Sequence, residues 1–254
     1  MTFELQLLLA AISFLAGVGI TSIGPGGILL TIALYSLTTL APAEVAGTAS
    51  VTFIVTGLLG TLIYARSGQL RNRGTRRMAW MLSGTSIAGA LAGAWANPWL
   101  SPRLFGLLLG IASAVAGAVI IRQTWRGLTP RAHLDSATRS GRLWLAVLGF
   151  GIGFTGGLLG VGGPVLAVPA LVVLGVPLLC ALAMAQVQSI FVATFATLGF
   201  VLQGAVLWPL ALSIGLPQLI GAFLGWRIAH RVPAARLKLV LGAALFVLGS
   251  FLIF

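Results

Sequence analysis

The sequence predicts an all-α polytopic membrane protein, built from two inverted repeats of about five segments that each contain a glycine-broken helix pair. Composition, internal repetition and the placement of charge support this fold class. The 254 residues are 59% hydrophobic and only 7% charged, with a mean hydropathy of +1.09. A soluble domain carries about 25% charged residues. Most of this chain must therefore face lipid or other helices, and its continuous apolar runs indicate helices rather than a barrel.

Two glycine-rich breaks interrupt apolar stretches at a constant spacing. Gly24-Pro25-Gly26-Gly27 and Gly160-Val161-Gly162-Gly163 lie 136 residues apart. The same offset superposes identical residues along both halves, namely Phe14 on Phe150, Gly17 on Gly153, Leu30 on Leu166, Ala49 on Ala185, Thr61 on Thr197, Gly68 on Gly204, Gly89 on Gly225 and Gly106 on Gly242. Helix breaks repeated at matching positions are typical of duplicated transporter halves.

The segments follow the same order in both halves. In the first half, residues 1–121, an apolar stretch at 3–38 is broken at 23–27 into one piece of about 20 residues, enough to span a bilayer, and a shorter piece. Further spans are predicted at 44–64, 78–97 and 104–122. The second half, residues 143–254, has a broken stretch at 143–175 and spans near 178–200, 207–229 and 236–254. A basic linker at 122–142 joins the halves.

The net charge of +12 is concentrated in three short connections, at 65–77, 122–142 and 227–238. The connections near 38–44 and 200–207 carry no Lys or Arg, and the one near 98–103 carries only Arg103. Basic short loops mark the cytoplasmic side, so this charge indicates topology rather than nucleic-acid binding. Repeat-related loops then fall on opposite sides, which predicts inverted halves with both termini outside the cytoplasm. If the broken stretches are re-entrant hairpins, about six full spans remain.

The glycine breaks are the first candidate site. Glycine lets the chain leave helical geometry, and Pro25 removes an amide donor. Half-helices that start near Gly26 and Gly162 would direct free N–H groups and partial positive charge into the breaks, which suits an anion. The alternative is that the glycines only allow close helix packing. The predicted backbone ligands are Gly24, Gly26, Gly27, Gly160, Gly162 and Gly163.

Polar side chains within the predicted spans are the second candidate set. These are Thr48, Ser50, Thr52, Gln186 and Gln188, with Ser50 equivalent to Gln186 and Thr52 to Gln188 at the repeat offset. Buried amides need partners, so we expect the glutamines to line the pathway. No Asp, Glu, Lys or His lies deep in a predicted span, which argues against a proton relay of side chains.

The histidines and the single cysteine argue against catalysis and against a bound metal or cofactor. His133 and His230 lie in or beside loops without a second ligand nearby, and Cys180 is the single cysteine. A membrane-embedded enzyme would need a nucleophile with its base, or metal ligands, within the spans. We predict no catalytic residue, no metal site and no cofactor.

The duplicated break resembles that of the TauE/SafE sulfite-exporter family. The carrying segment is Gly160-Val161-Gly162-Gly163-Pro164-Val165-Leu166-Ala167-Val168-Pro169-Ala170-Leu171, and the resemblance covers nearly the whole chain. It implies export of sulfite, sulfoacetate and related anions across the bacterial inner membrane. The first half departs from the family pattern, since Pro25 interrupts its glycine run and Ala33 stands opposite Pro169.

The function predicted is secondary transport of small anions, with export of sulfite, sulfoacetate or a related organosulfur or carboxylate anion by alternating access. The alternatives are an anion channel and a non-transporting membrane scaffold subunit. The expected partners are a small anionic substrate and the lipid bilayer, not nucleic acid, and a homodimer is left open.

Overall fold

The computed structural model describes residues 2–126, 138–229, 231 and 234–253, and these residues form helices and their connections, without strands. Part of the predicted linker, with His133, and His230 lie outside the described residues. The helices are α1 (Phe3–Ser22), α2 (Gly27–Leu37), α3 (Pro42–Arg66), α4 (Arg73–Ala96), α5 (Pro102–Arg126), α6 (Arg139–Leu159), α7 (Pro164–Val173), α8 (Leu178–Leu202), α9 (Trp208–Ala229) and α10 (Ala234–Ile253).

The predicted all-helical membrane fold is confirmed. Six of the described helices are long and apolar enough to cross a membrane: α1, α3, α5, α6, α8 and α9. Helix α4 begins at Arg73, five residues before the predicted span, because Asn72 caps it by accepting a hydrogen bond from the amide of Gly74 at 2.7 Å. The first turns of α4 can contain arginines, because their charged groups reach toward water.

Each broken stretch consists of one full-length helix followed by a short one that folds back. Helix α1 has 20 residues and α2 has 11, so α2 is only about 16 Å long. A Cβ atom at Gly26 would lie 2.5 Å from Gly19, which places the start of α2 directly against α1. Further along, Ile12 of α1 shares an apolar groove with Leu29 and Ala33 of α2. In the second half the equivalent helices α6 and α7 pack less closely, with an apolar groove between Gly151 of α6 and Pro169 of α7.

The tightest helix pairs join one half to the other. Helix α1 packs along α9, and α4 packs along α6. Exchanging the two halves converts one pair into the other. Small residues make both contacts close, since a Cβ atom at Gly153 would lie 2.3 Å from the carbonyl oxygen of Ser86, and one at Gly221 would lie 2.0 Å from that of Phe14. The fourth helix of each half is therefore packed into the other half.

The packing corrects the repeat register from the fourth segment onward. A Cβ atom at Gly89 would meet the carbonyl oxygen of Phe150, just as one at Gly221 would meet that of Phe14. Since Phe14 and Phe150 are equivalent, Gly89 corresponds to Gly221. The predicted superposition of Gly89 on Gly225 is wrong by four residues, about one helical turn, which leaves the same helix face in contact.

Equivalent helices of the two halves run antiparallel where they touch. Gly47, early in α3, packs on Phe200, late in α8, whereas Gly60, late in α3, packs on Gln186, early in α8. Helices α5 and α10 also pair antiparallel, with Gly110 close to Gly249. Antiparallel equivalents are what an inverted repeat requires, and the orientation of the halves across a bilayer stays a prediction.

Most arginines at the helix ends gather at one end of the bundle, and Arg103, at the start of α5, lies at the other end. Arg66 and Arg73 flank the connection between α3 and α4. Helix α6 runs parallel to α4, so Arg139 begins at that end, and α9 runs parallel to α3, so Arg227 also lies there. The basic residues of separate connections thus share one end, as the charge pattern predicted.

Candidate functional site

The first break is a tight, buried turn between α1 and α2. The amides of Ile23 and Gly24 both donate to the carbonyl oxygen of Gly19 at 3.0 Å, which closes α1. Gly24 then takes φ = 115°, in a region that residues with a side chain rarely adopt. Gly26 occupies the N-cap position of α2, and no side chain caps this helix. The first turn of α2 therefore begins in the protein interior with its amides uncapped by side chains.

The second break repeats this arrangement with different residues. Gly160 ends α6 with φ = 61°, and its amide donates to the carbonyl oxygen of Gly156 at 2.9 Å. Gly162 follows with φ = 74°. Helix α7 begins at Pro164, preceded by Gly163, and again no side chain caps it. By contrast, Thr2, Asn72 and Thr138 cap α1, α4 and α6.

The two breaks meet at the ring of Phe53, near the middle of α3. A Cβ atom at Gly27 would lie 2.8 Å from Cε1 of Phe53 and 3.3 Å from the carbonyl oxygen of Val161. One at Gly162 would lie 3.3 Å from the other edge of the ring. The Thr31 hydroxyl donates to the carbonyl oxygen of Gly160 at 2.6 Å and ties α2 to the second break. The structure thus brings glycines of both breaks to one place.

The electrostatic character of this place comes from backbone dipoles rather than from ionised side chains. Among the described residues, none of the buried ones is Asp, Glu, Lys, Arg or His. Each N-terminus of a half-helix carries a partial positive charge of about half an elementary charge. The described part of the chain also contains no group of three His, Cys, Asp or Glu that could hold a metal ion. The charge at this place is therefore the partial positive charge of the two helix starts.

The predicted hydroxyl residues are buried, but they bond locally. Ser50 donates to the carbonyl oxygen of Ala46 at 2.7 Å, and Thr52 donates to that of Ala49 at 2.8 Å. Thr48 accepts from the amide of Leu207 at 3.2 Å and so holds the start of α9 against α3. Their hydroxyl groups are thus used within α3 and at its contact with α9.

The two predicted glutamines lie at different helix interfaces. Nε2 of Gln186 donates to the carbonyl oxygen of Ile20 on α1 at 3.1 Å. Nε2 of Gln188 donates to the Ser86 hydroxyl on α4 at 2.7 Å. Both side chains are fully buried, and neither amide oxygen has a hydrogen-bond partner among the described residues. Each glutamine therefore uses a donor for packing and keeps a free acceptor.

Sequence reasoning missed two residues of this region, Phe53 and Gln218. Phe53 looked like an ordinary core residue, although the repeat offset pairs it with Ser189, which packs on Gly163. Gln218 is fully buried on α9, and its amide has no partner among the described residues. Its equivalence to Ser86 was hidden by the four-residue change of register.

The family model for the sulfite exporter TauE/SafE matches residues 9–252, which is nearly all of the chain. Neither the curated proteins nor the solved structures give a significant match. With its paired glycine breaks, its helical membrane fold and this match, the chain belongs to the sulfite exporter TauE/SafE family.

Proposed function

We propose that this protein exports sulfite, sulfoacetate or a related small organosulfur or carboxylate anion across the bacterial inner membrane by alternating access. The observation that carries the proposal is the meeting of two half-helix N-termini, uncapped by side chains, beside Phe53. Amides at helix N-termini bind anions through hydrogen bonds and the helix dipole. The proposed ligands are the amides around Gly26, Gly27, Gly162 and Gly163.

A site without an ionised side chain suits a transporter that must release its ligand. Two helix ends of partial charge attract an anion more weakly than a buried arginine does, since charge-assisted bidentate bonds are among the strongest available. The free amide oxygen of Gln186 accepts rather than donates, so it favours a ligand that carries a hydroxyl proton, such as hydrogen sulfite.

The packing supports a specific division into moving parts. Because the fourth helix of each half is exchanged, one unit consists of α1, α2, α3 and α9, and the other of α6, α7, α8 and α4. The main direct contact between these units is α3 against α8. We therefore place the rocking movement at this interface rather than between residues 1–121 and 143–254.

Transport by the purified protein in liposomes tests the proposed function. We expect radiolabelled sulfite to cross the membrane only when the protein is present. We expect Gly162→Leu to abolish this flux, because the new side chain would be forced into φ = 74° and against the Phe53 ring.

The matched control is Gly151→Leu on the neighbouring helix α6. Gly151 is exposed and has no atom near its Cβ position, so this variant should keep the wild-type rate. Wild-type protein that inserts correctly and moves no anion would overturn the proposed function.

A further inference from the structure

The ring of Phe53 lies between the two breaks at the place where they meet. It is only 3% exposed and contacts Gly27 of the first break and Gly162 of the second. The ring therefore occupies space directly beside both helix starts, where an anion held by the amides would lie.

The second half carries a serine where the first half carries Phe53. Ser189 lies on α8 at the equivalent position and is also 3% exposed. Its backbone packs closely, since a Cβ atom at Gly163 would lie 3.1 Å from the amide nitrogen of Ser189. The Ser189 hydroxyl forms no hydrogen bond with the other described residues. One repeat thus places a large apolar ring at the breaks, and the other places there the backbone of a serine whose hydroxyl is not used by the other described residues.

We propose that Phe53 sets the size limit of the anion site and that the Ser189 hydroxyl donates a hydrogen bond to the bound anion. This inference rests on the proposed function and adds its selectivity. The substrate class that fits is a compact oxyanion with few heavy atoms, of which inorganic sulfite is an example, in preference to longer organosulfonates. Of the two equivalent positions, Phe53 contributes the bulk of a ring, and Ser189 contributes a hydroxyl group as a hydrogen-bond donor.

The size limit is tested by the ratio of sulfoacetate flux to sulfite flux in liposomes. We expect Phe53→Ser, which copies the second repeat, to raise this ratio by about tenfold, because pocket size discriminates between ligands on this scale. Phe53→Leu keeps an apolar side chain of similar reach and is the matched control, with a ratio close to that of the wild type. An unchanged ratio in Phe53→Ser would overturn the size limit.

The role of Ser189 is tested by sulfite affinity. We expect Ser189→Ala to raise the sulfite dissociation constant by about tenfold, as expected for losing a hydrogen bond to a charged group. The flux ratio should stay at its wild-type value, because the size of the site is unchanged. An unaltered dissociation constant would remove Ser189 from the ligand set.

A second measurement does not depend on whether Phe53→Ser folds. 4-Fluorophenylalanine at position 53 preserves the ring, and its ¹⁹F resonance should shift when sulfite is added. The same label at Phe251, which is 79% exposed on α10, should not respond. A silent label at position 53 in protein that transports sulfite would overturn the inference and leave the proposed function standing. Wild-type protein without transport would overturn both.

Discussion

At the residue scale, the glycines of the two breaks differ in the reason why a side chain would be unfavourable at their positions. Gly26 has an ordinary helical φ of −60°, but a Cβ atom there would lie 2.5 Å from the backbone of Gly19. Gly162 has φ = 74°, and its Cβ would meet only the Phe53 ring, at 3.3 Å. The first glycine is needed for close packing of α1 and α2, and the second for backbone conformation.

We therefore expect Gly26→Ala to destabilise the protein more than Gly162→Ala. Forcing two backbones apart costs up to about 3 kcal/mol and occasionally more, whereas the left-handed conformation costs about 1–2 kcal/mol for alanine. Thermal unfolding of both variants in detergent measures the difference. Gly84→Ala, with no neighbour near its Cβ position in α4, should be neutral or slightly stabilising. Equal losses in the first two variants would contradict this account.

The hydrogen bond between Gln188 and Ser86 supports a second residue-scale prediction. We expect a double-mutant cycle of Gln188→Leu and Ser86→Ala to give a coupling free energy of about 1 kcal/mol in unfolding. The sulfite dissociation constant of Gln188→Leu should stay near the wild-type value, because Ser86 already holds the amide donor. A tenfold weaker affinity, about 1.4 kcal/mol, without loss of stability would return Gln188 to the anion ligands.

The sequence predicted which polar residues are buried but not how they bond. Apolar surroundings alone indicate that Gln186 and Gln188 lie inside the bundle. Which groups their amides meet depends on α1 and α4, more than 100 residues away in the chain. The glycines were easier to interpret, because a break inside an apolar stretch constrains the backbone locally.

At the scale of elements, the contact between α4 and α6 depends on one face of each helix. Gly149, Gly153 and Gly157 follow one another at four-residue intervals on α6, and each would place a Cβ atom within 2.5 Å of a backbone carbonyl oxygen of α4. Such spacing keeps them on a single stripe. Gly151 lies between them on the exposed face, with nothing near its Cβ position.

We expect Gly153→Val to destabilise the protein by several kcal/mol and Gly151→Val to have an effect below about 1 kcal/mol. The two variants change the same helix by the same side chain, so helix propensity cancels in the comparison. Folded yield and thermal unfolding in detergent measure both. Similar losses in the two variants would mean that the small-residue stripe does not set this contact.

Helix positions were predictable because they depend on local patterns. The breaks, the broken stretches and the spans of α3 and α8 follow from hydropathy and glycine. The repeat register between α4 and α9 was not predictable, because two glycines of α9 can be matched to Gly89. The sequence offset matches it to Gly225, and the packing matches it to Gly221. Only the packing against Phe14 and Phe150 distinguishes the two alignments.

At the scale of the whole molecule, the inverted orientation across the membrane makes a direct prediction. Ser67 follows α3 and Gln203 follows α8, and these two positions are equivalent in the repeat. We expect cysteines placed there, in a Cys180→Ala background, to react with impermeant maleimide from opposite sides. The position beside the basic connection should face the cytoplasm. Labelling of both positions from one side would exclude inverted halves.

The exchange of α4 and α9 between the halves defines the two proposed moving units, and these units predict opposite effects for two cross-links. A Cβ atom at Gly57 of α3 would lie 3.2 Å from the Ile190 side chain of α8, so cysteines at these positions would join the two units. One at Gly199 of α8 would lie 2.8 Å from Cβ of Ala94 on α4, within a single unit.

In a Cys180→Ala background, we expect oxidation of the cysteine pair at 57 and 190 to stop sulfite flux and reduction to restore it. The pair at 94 and 199 should transport at the same rate in both redox states, because its disulfide joins helices that move together. Each pair connects α8 to a helix of the first half. If residues 1–121 moved as one body against residues 143–254, the two cross-links would therefore have the same effect on sulfite flux. Loss of flux on oxidising the 94 and 199 pair would therefore place the movement between α4 and α8. The exchange of helices would then be a feature of packing alone.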